Sequence, residues 1–195
     1  MKKGLFALAL LACVYVAGNF FWRRVDRWRF PWAYAESGKP TLTGTWVGSL
    51  TTATGQRRGV IMEMHLPDIS GRKRKTRRTR FGNLEGTART CDERGEIRSL
   101  TLSGKPDNKE ATQLHLMTVP ATNPPPDGLT LNTAKGLWDQ GNTLHLQAGF
   151  YYRKGTGAIS GSEYPDTEKD ALLHMTRGGD AEFRRACNAI RGKGA

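Results

Sequence analysis

The sequence predicts a mainly β protein: an antiparallel up-and-down barrel of about eight strands, followed by a short C-terminal helix and preceded by an N-terminal transmembrane or signal helix. Three observations predict it. From Thr41 onward, apolar and polar residues alternate with period two in short runs separated by Gly, Asp, Asn and Pro, the pattern of half-buried strands joined by turns. The connections are short, as antiparallel neighbours require, and each run has a single apolar face, so the sheet must close on itself or fold onto a second sheet. Residues 4–22 form an unbroken run whose only strongly polar member is Asn19, and a helix of that length reaches about 28 Å, the thickness of a bilayer's hydrocarbon core.

The chain of 195 residues suits one ordinary domain and an appendage. It divides into a signal anchor or transmembrane helix at 1–22, an Arg/Trp-rich membrane-proximal linker at 23–40, and a barrel domain at 41–195 that includes the helix at 180–191. Three fates compete for the first segment: retention as an anchor, cleavage near Ala17 and Gly18 as a secretory signal, or lipidation at Cys13. Leu10-Leu11-Ala12-Cys13 is similar to a bacterial lipobox, although the apolar run continues past the cysteine, and a small apolar helix residue is the simpler reading of Cys13. In the linker, Trp22, Trp28 and Trp32 alternate with Arg23, Arg24, Arg27 and Arg29, side chains that settle where one part is dry and the other wet. Lys2 and Lys3 compete with those four arginines for the inner side of the membrane, so charge counting leaves orientation open.

The strands follow in order at 42–50, 60–66, 84–91, 97–104, 111–119, 129–137, 143–152 and 171–176. Val60, Met62, Met64 and Leu66 share one face, as do Leu144, Leu146, Ala148, Phe150 and Tyr152. Turns are expected at Asp92-Glu93-Arg94-Gly95, Lys105-Pro106-Asp107-Asn108 and Asp139-Gln140-Gly141-Asn142, and longer loops at 124–128 and 153–168. After Gly178-Gly179, Asp180 is the expected N-cap of a helix whose stripe is Phe183, Cys187 and Ile190. That helix is expected on the outside of the barrel or across one mouth.

Gly44-Thr45-Trp46 at the head of the first strand, with eight up-and-down strands and a trailing helix, resembles the lipocalins and related calycin barrels. The resemblance implies that Trp46, introduced by Gly44, closes one end of the barrel and packs against a basic side chain. It also implies either a cup for an apolar or amphipathic small molecule or a barrel filled with side chains.

Charge is concentrated. The chain carries a net charge of +12, and seven of its cations lie in one acid-free stretch: Arg72, Lys73, Arg74, Lys75, Arg77, Arg78 and Arg80. Without them residues 41–195 hold 16 basic and 16 acidic groups. The run is either a solvated loop or an anion-binding one, directed at lipid headgroups or envelope polymers if the domain is exported and at phosphates if it faces the cytoplasm. Nucleic acid is disfavoured because the run contains no aromatic residue for a base to stack on.

With Cys13 in the apolar segment, Cys91 and Cys187 are the natural disulfide pair, linking a strand end to the terminal helix and placing the domain in an oxidising compartment; the alternative is two unrelated buried thiols. His65, His115, His145 and His174 have no local ligand spacing, and the first three alternate against the Leu faces of their strands and read as solvent-facing. No nucleophile elbow, phosphate-cradling loop or recognisable carboxylate pair occurs, and the Gly-rich stretch 155–161 lacks a P-loop ending. No cofactor is expected. The leading expectation is a membrane-tethered, exported, non-enzymatic barrel domain that binds an amphipathic or anionic ligand or supports an envelope assembly. The alternative is a cytoplasm-facing membrane module that contacts nucleic acid or another polyanion through 72–80.

Overall fold

A computed structural model describes residues 2–35, 39–52, 55–67, 82–121, 129–153, 159–160 and 171–192, with backbone alone at 2–10, 19, 22–23, 151–153 and 159–160. Helix α1 runs Lys2–Arg29 and a 3₁₀ turn spans Pro31–Ala33. Strands β1 (Gly44–Thr51), β2 (Arg57–His65), β3 (Leu84–Cys91), β4 (Ile97–Pro106), β5 (Gln113–Pro120), β6 (Leu129–Trp138) and β7 (Thr143–Arg153) each pair antiparallel with the next. A two-residue strand β8 (Ile159–Ser160) extends the end of β7; β9 (Ala171–Arg177) pairs with both β7 and β1. Those last pairings close an eight-stranded barrel of β1–β7 and β9, so no strand of the ring is left with an open edge. Helix α2 (Asp180–Arg191) follows.

The interior is what the alternation dictates. Val60, Met62 and Met64 from β2, Leu114 and Leu116 from β5, Leu144, Leu146, Ala148 and Phe150 from β7, and Leu173 and Met175 from β9 belong to one buried cluster. A bulge sets the phase of β6. Strict alternation through Leu129 and Leu131 would carry Leu137 inward, but a bulge between Leu131 and Thr133 shifts the register. Ala134 and Trp138 point in instead, and Leu137 is left 54% exposed.

Outside the ring, Val47, Ile61 and Cys91 meet Phe183, Cys187 and Ile190 in a second buried cluster, so α2 lies on the outer wall and not across a mouth. Two local expectations shift. Gly179, not Asp180, is the N-cap: its N–H donates to the Glu182 carboxylate at 2.9 Å, while Asp180 pairs with Arg89. Ala111 lies in a turn at φ 54°, with the Thr112 N–H held by Asn108 at 2.9 Å, and the fifth strand starts two residues later.

Among the described residues no helix is long and apolar enough to cross a membrane. The transmembrane reading of 1–22 is therefore carried by the sequence alone, since the side chains at 2–10, the first part of the apolar run, are not described.

Candidate functional site

Where β1 begins and β9 ends, three residues form one unit. Trp46 is fully buried and its indole N–H donates to the Leu42 carbonyl at 2.9 Å. The Arg177 guanidinium lies 3.9 Å from the centre of its ring and donates to the Thr43 carbonyl at 2.8 Å. Burial lowers the pKa of Arg177, yet a guanidinium stays charged throughout the physiological range. Gly44 is the condition for this contact: its φ is +118°, and a Cβ there would lie 2.5 Å from an Arg177 nitrogen. The basic partner that the resemblance implied for Trp46 is thus Arg177, which the sequence did not single out because nothing local marks one arginine among many.

The same end receives residues assigned by sequence to the linker. Phe30 and Trp32 are each 3% exposed and join the interior cluster, together with Leu42. The Leu42 N–H donates to the Trp32 carbonyl at 2.7 Å and the Thr43 hydroxyl to that of Ala33 at 3.1 Å. Trp28, by contrast, is 72% exposed, with the Lys109 ammonium 5.1 Å from its ring. The last turn of α1 therefore runs directly into a plug seated in the barrel.

The basic run 72–80 lies outside the described residues, but its two stems do not. Leu66 and Pro67 on one side and Gly82 and Asn83 on the other surround a crevice of about 20 Å³ together with Asp26, Phe30 and Tyr34. Gly82, at φ +90°, sits so close that a Cβ would be 3.0 Å from both Phe30 and Trp32. The described residues on either side of the basic run thus lie against the C-terminal end of α1.

At the opposite mouth, Arg58 (7% exposed) and Arg98 both donate to the Leu129 carbonyl at 3.1 Å. Between the two ends, Met62, Leu116, Leu144, Leu173 and Met175 are each 0% exposed, so side chains fill the described interior.

The remaining predicted residues are placed as follows. Cys91 and Cys187 are joined in a disulfide with Cα atoms 5.9 Å apart, and Cys13 is an exposed free thiol. His65, His145 and His174 are exposed and His115 is partly so; desolvation and the nearby Lys135 lower the pKa of His115. His145 and His174, distant in sequence, are brought into contact across β7 and β9. Among the described residues no group of three or more His, Cys, Asp or Glu side chains gathers as a metal site.

No protein-family model and no curated protein matches the chain. Among solved structures, that of EF1p2_mFAP2b bound to DFHBI is similar at 17% identity, covering 70% of this chain and 94% of its own, with a TM-score of 0.43. A likeness that distant carries no argument about what this chain binds.

Proposed function

We propose that the chain is a membrane-tethered, exported, non-enzymatic barrel that applies one end to an anionic surface, with Arg72, Lys73, Arg74, Lys75, Arg77, Arg78 and Arg80 as the contact. One observation carries the reading: the stems of the basic loop pack against the last turn of α1 and its plug. If residues 1–22 anchor the chain, the seven cations emerge at the membrane-proximal end, where each contributes about 1 kcal/mol of attraction to anionic lipid. Export is supported by the Cys91–Cys187 disulfide, which persists in oxidising compartments. The buried side chains that the described strands turn inward support a surface partner over a small molecule held inside.

The test uses the full chain in vesicles, with Cys13→Ser and a fluorophore on Thr76→Cys. Lipids carrying headgroup quenchers should quench the label when anionic lipid is present, and added salt should relieve the quenching as screening shortens to about 8 Å near 0.15 M. Replacing the seven cations with Ser should remove the effect. Equal quenching in neutral lipid, or in the Ser variant, overturns the reading. Salt-sensitive retention of nucleic acid without lipid dependence would favour the cytoplasmic alternative.

A further inference from the structure

The outer wall of the barrel carries a second feature, independent of the surface reading above. In the β7–β9 ladder His145 stands directly opposite His174, and directly opposed cross-strand residues have Cβ atoms about 4.5–5.5 Å apart. Both rings are exposed, their planes meet at 81° and their centres are 5.0 Å apart. The two Nδ1 atoms approach to 2.9 Å. One nitrogen must donate and the other accept, so a proton and a lone pair are directed into the same small space.

That separation is also a chelate bite. Two metal–imidazole bonds of about 2.0–2.1 Å meeting at a right angle set their nitrogens about 2.8–3.0 Å apart, whereas a tetrahedral angle needs about 3.3–3.4 Å. We propose that His145 and His174 form a two-imidazole site for a divalent transition metal ion with cis positions at right angles, Cu²⁺ first and Ni²⁺ second, in the order that nitrogen ligands favour. The ion takes the lone pairs of both Nδ1 atoms: the donor ring gives up its Nδ1 proton and carries one at Nε2 instead, so each bound imidazole is neutral. The surroundings suit a cation: Ser49 of β1 stands opposite His174, and the Asp139 carboxylate, fixed by the N–H groups of Gly141 and Thr143, lies within electrostatic range of His145. With only two protein ligands, the other coordination positions remain open to water or to a donor on a partner molecule.

The experiment uses the untagged full chain in detergent with Cys13→Ser, so that a free thiol does not compete for copper. Titration with CuCl₂ should show one site per chain absent from the His145→Asn/His174→Asn double variant. The bound ion's electron paramagnetic resonance spectrum should show coupling to two imidazole nitrogens. Each single variant should lose one of those nitrogens and bind at least about tenfold more weakly, a loss of about 1.4 kcal/mol, while His65→Asn binds as the parent does. Copper should raise the Tm of the parent and of His65→Asn but not of the double variant. Gln at both positions provides a second pair of variants should Asn disturb the strands. Copper bound equally by parent and folded double variant, or a spectrum without the imidazole pair, overturns the proposal.

Discussion

Arg177 acts through three separate contacts: the face of Trp46, the Thr43 carbonyl, and the space left by Gly44. A cation over an aromatic face contributes about 0.5–2 kcal/mol depending on desolvation, and a charged hydrogen bond about 1.5–3 kcal/mol. Arg177→Met should therefore cost about 2–4 kcal/mol in urea denaturation. Arg177→Lys should recover only part of this, because an ammonium does not stack and reaches fewer acceptors; full recovery would show that charge alone matters. The two buried tryptophans at this end should respond differently to loss of the indole N–H. That of Trp46 is bonded to the Leu42 carbonyl, whereas that of Trp32 is buried without a hydrogen-bond partner. Trp46→Phe leaves a buried carbonyl without its donor, while Trp32→Phe removes an orphan donor. Trp46→Phe should be the more destabilising by about 1 kcal/mol or more, measured by the same melts.

At the scale of an element, α2 shows how a short helix is held on a sheet. Its apolar stripe of Phe183, Cys187 and Ile190 covers Val47, Ile61 and Cys91, Arg89 lies 5.4 Å from the centre of the Phe183 ring and pairs with Asp180, and the disulfide ties the helix across a sequence separation of 96. Closing a loop of that length is worth about 4–5 kcal/mol in the chain-entropy account. Replacing both cysteines with Ser should lower stability by up to that amount and accelerate amide exchange in α2 before the barrel strands. The first turn adds a pH dependence. The Gly179 N–H, the helix's own backbone at Glu182 and the Arg185 side chain all donate to Glu182 and lower its pKa from the ordinary value of 4.5. A carboxylate with a depressed pKa in the folded state contributes stability above its unfolded value and loses it as pH falls through the folded value. The Tm difference between the parent and Glu182→Gln should favour the parent at pH 7 and shrink as pH falls below 4.5 through the folded-state pKa; a difference independent of pH would exclude the carboxylate as its source.

For the whole molecule, the consequential finding is that the boundary drawn at residue 41 cuts through the core. Phe30 and Trp32 belong to the interior cluster, and truncating such side chains costs about 3–5 kcal/mol each. A chain beginning at residue 26 should melt well above one beginning at 41. Equal melting temperatures would show the plug to be dispensable. The same continuity couples the basic loop to α1, since Gly82 and Asn83 rest where the helix ends. Because the residues that follow α1 are packed in the core, the C-terminal end of the helix lies at one end of the barrel, whereas a free linker of that composition would leave every position open.

Much of the fold was written locally. Period-two runs set where all eight ring strands fall to within a few residues, because alternation and turn residues act over a handful of neighbours. Cys91 and Cys187 were legible by elimination, and the basic run and the Gly44-Thr45-Trp46 tripeptide by composition and spacing. The features that were not legible share one physical cause: each depends on residues that only the closed ring brings together. The bulge opposite β7 that leaves Leu137 outside is one of them. Phe30 and Trp32 read as membrane-interface residues, because the same aromatic character suits a headgroup layer and a barrel mouth. Arg177 becomes the partner of Trp46, and His145 of His174, only because β9 returns to pair with β1 and β7. Sequence determined the strands, the apolar faces and the concentration of charge; closure decided which side chains meet, since a barrel's register is a property of the whole ring and of no single strand.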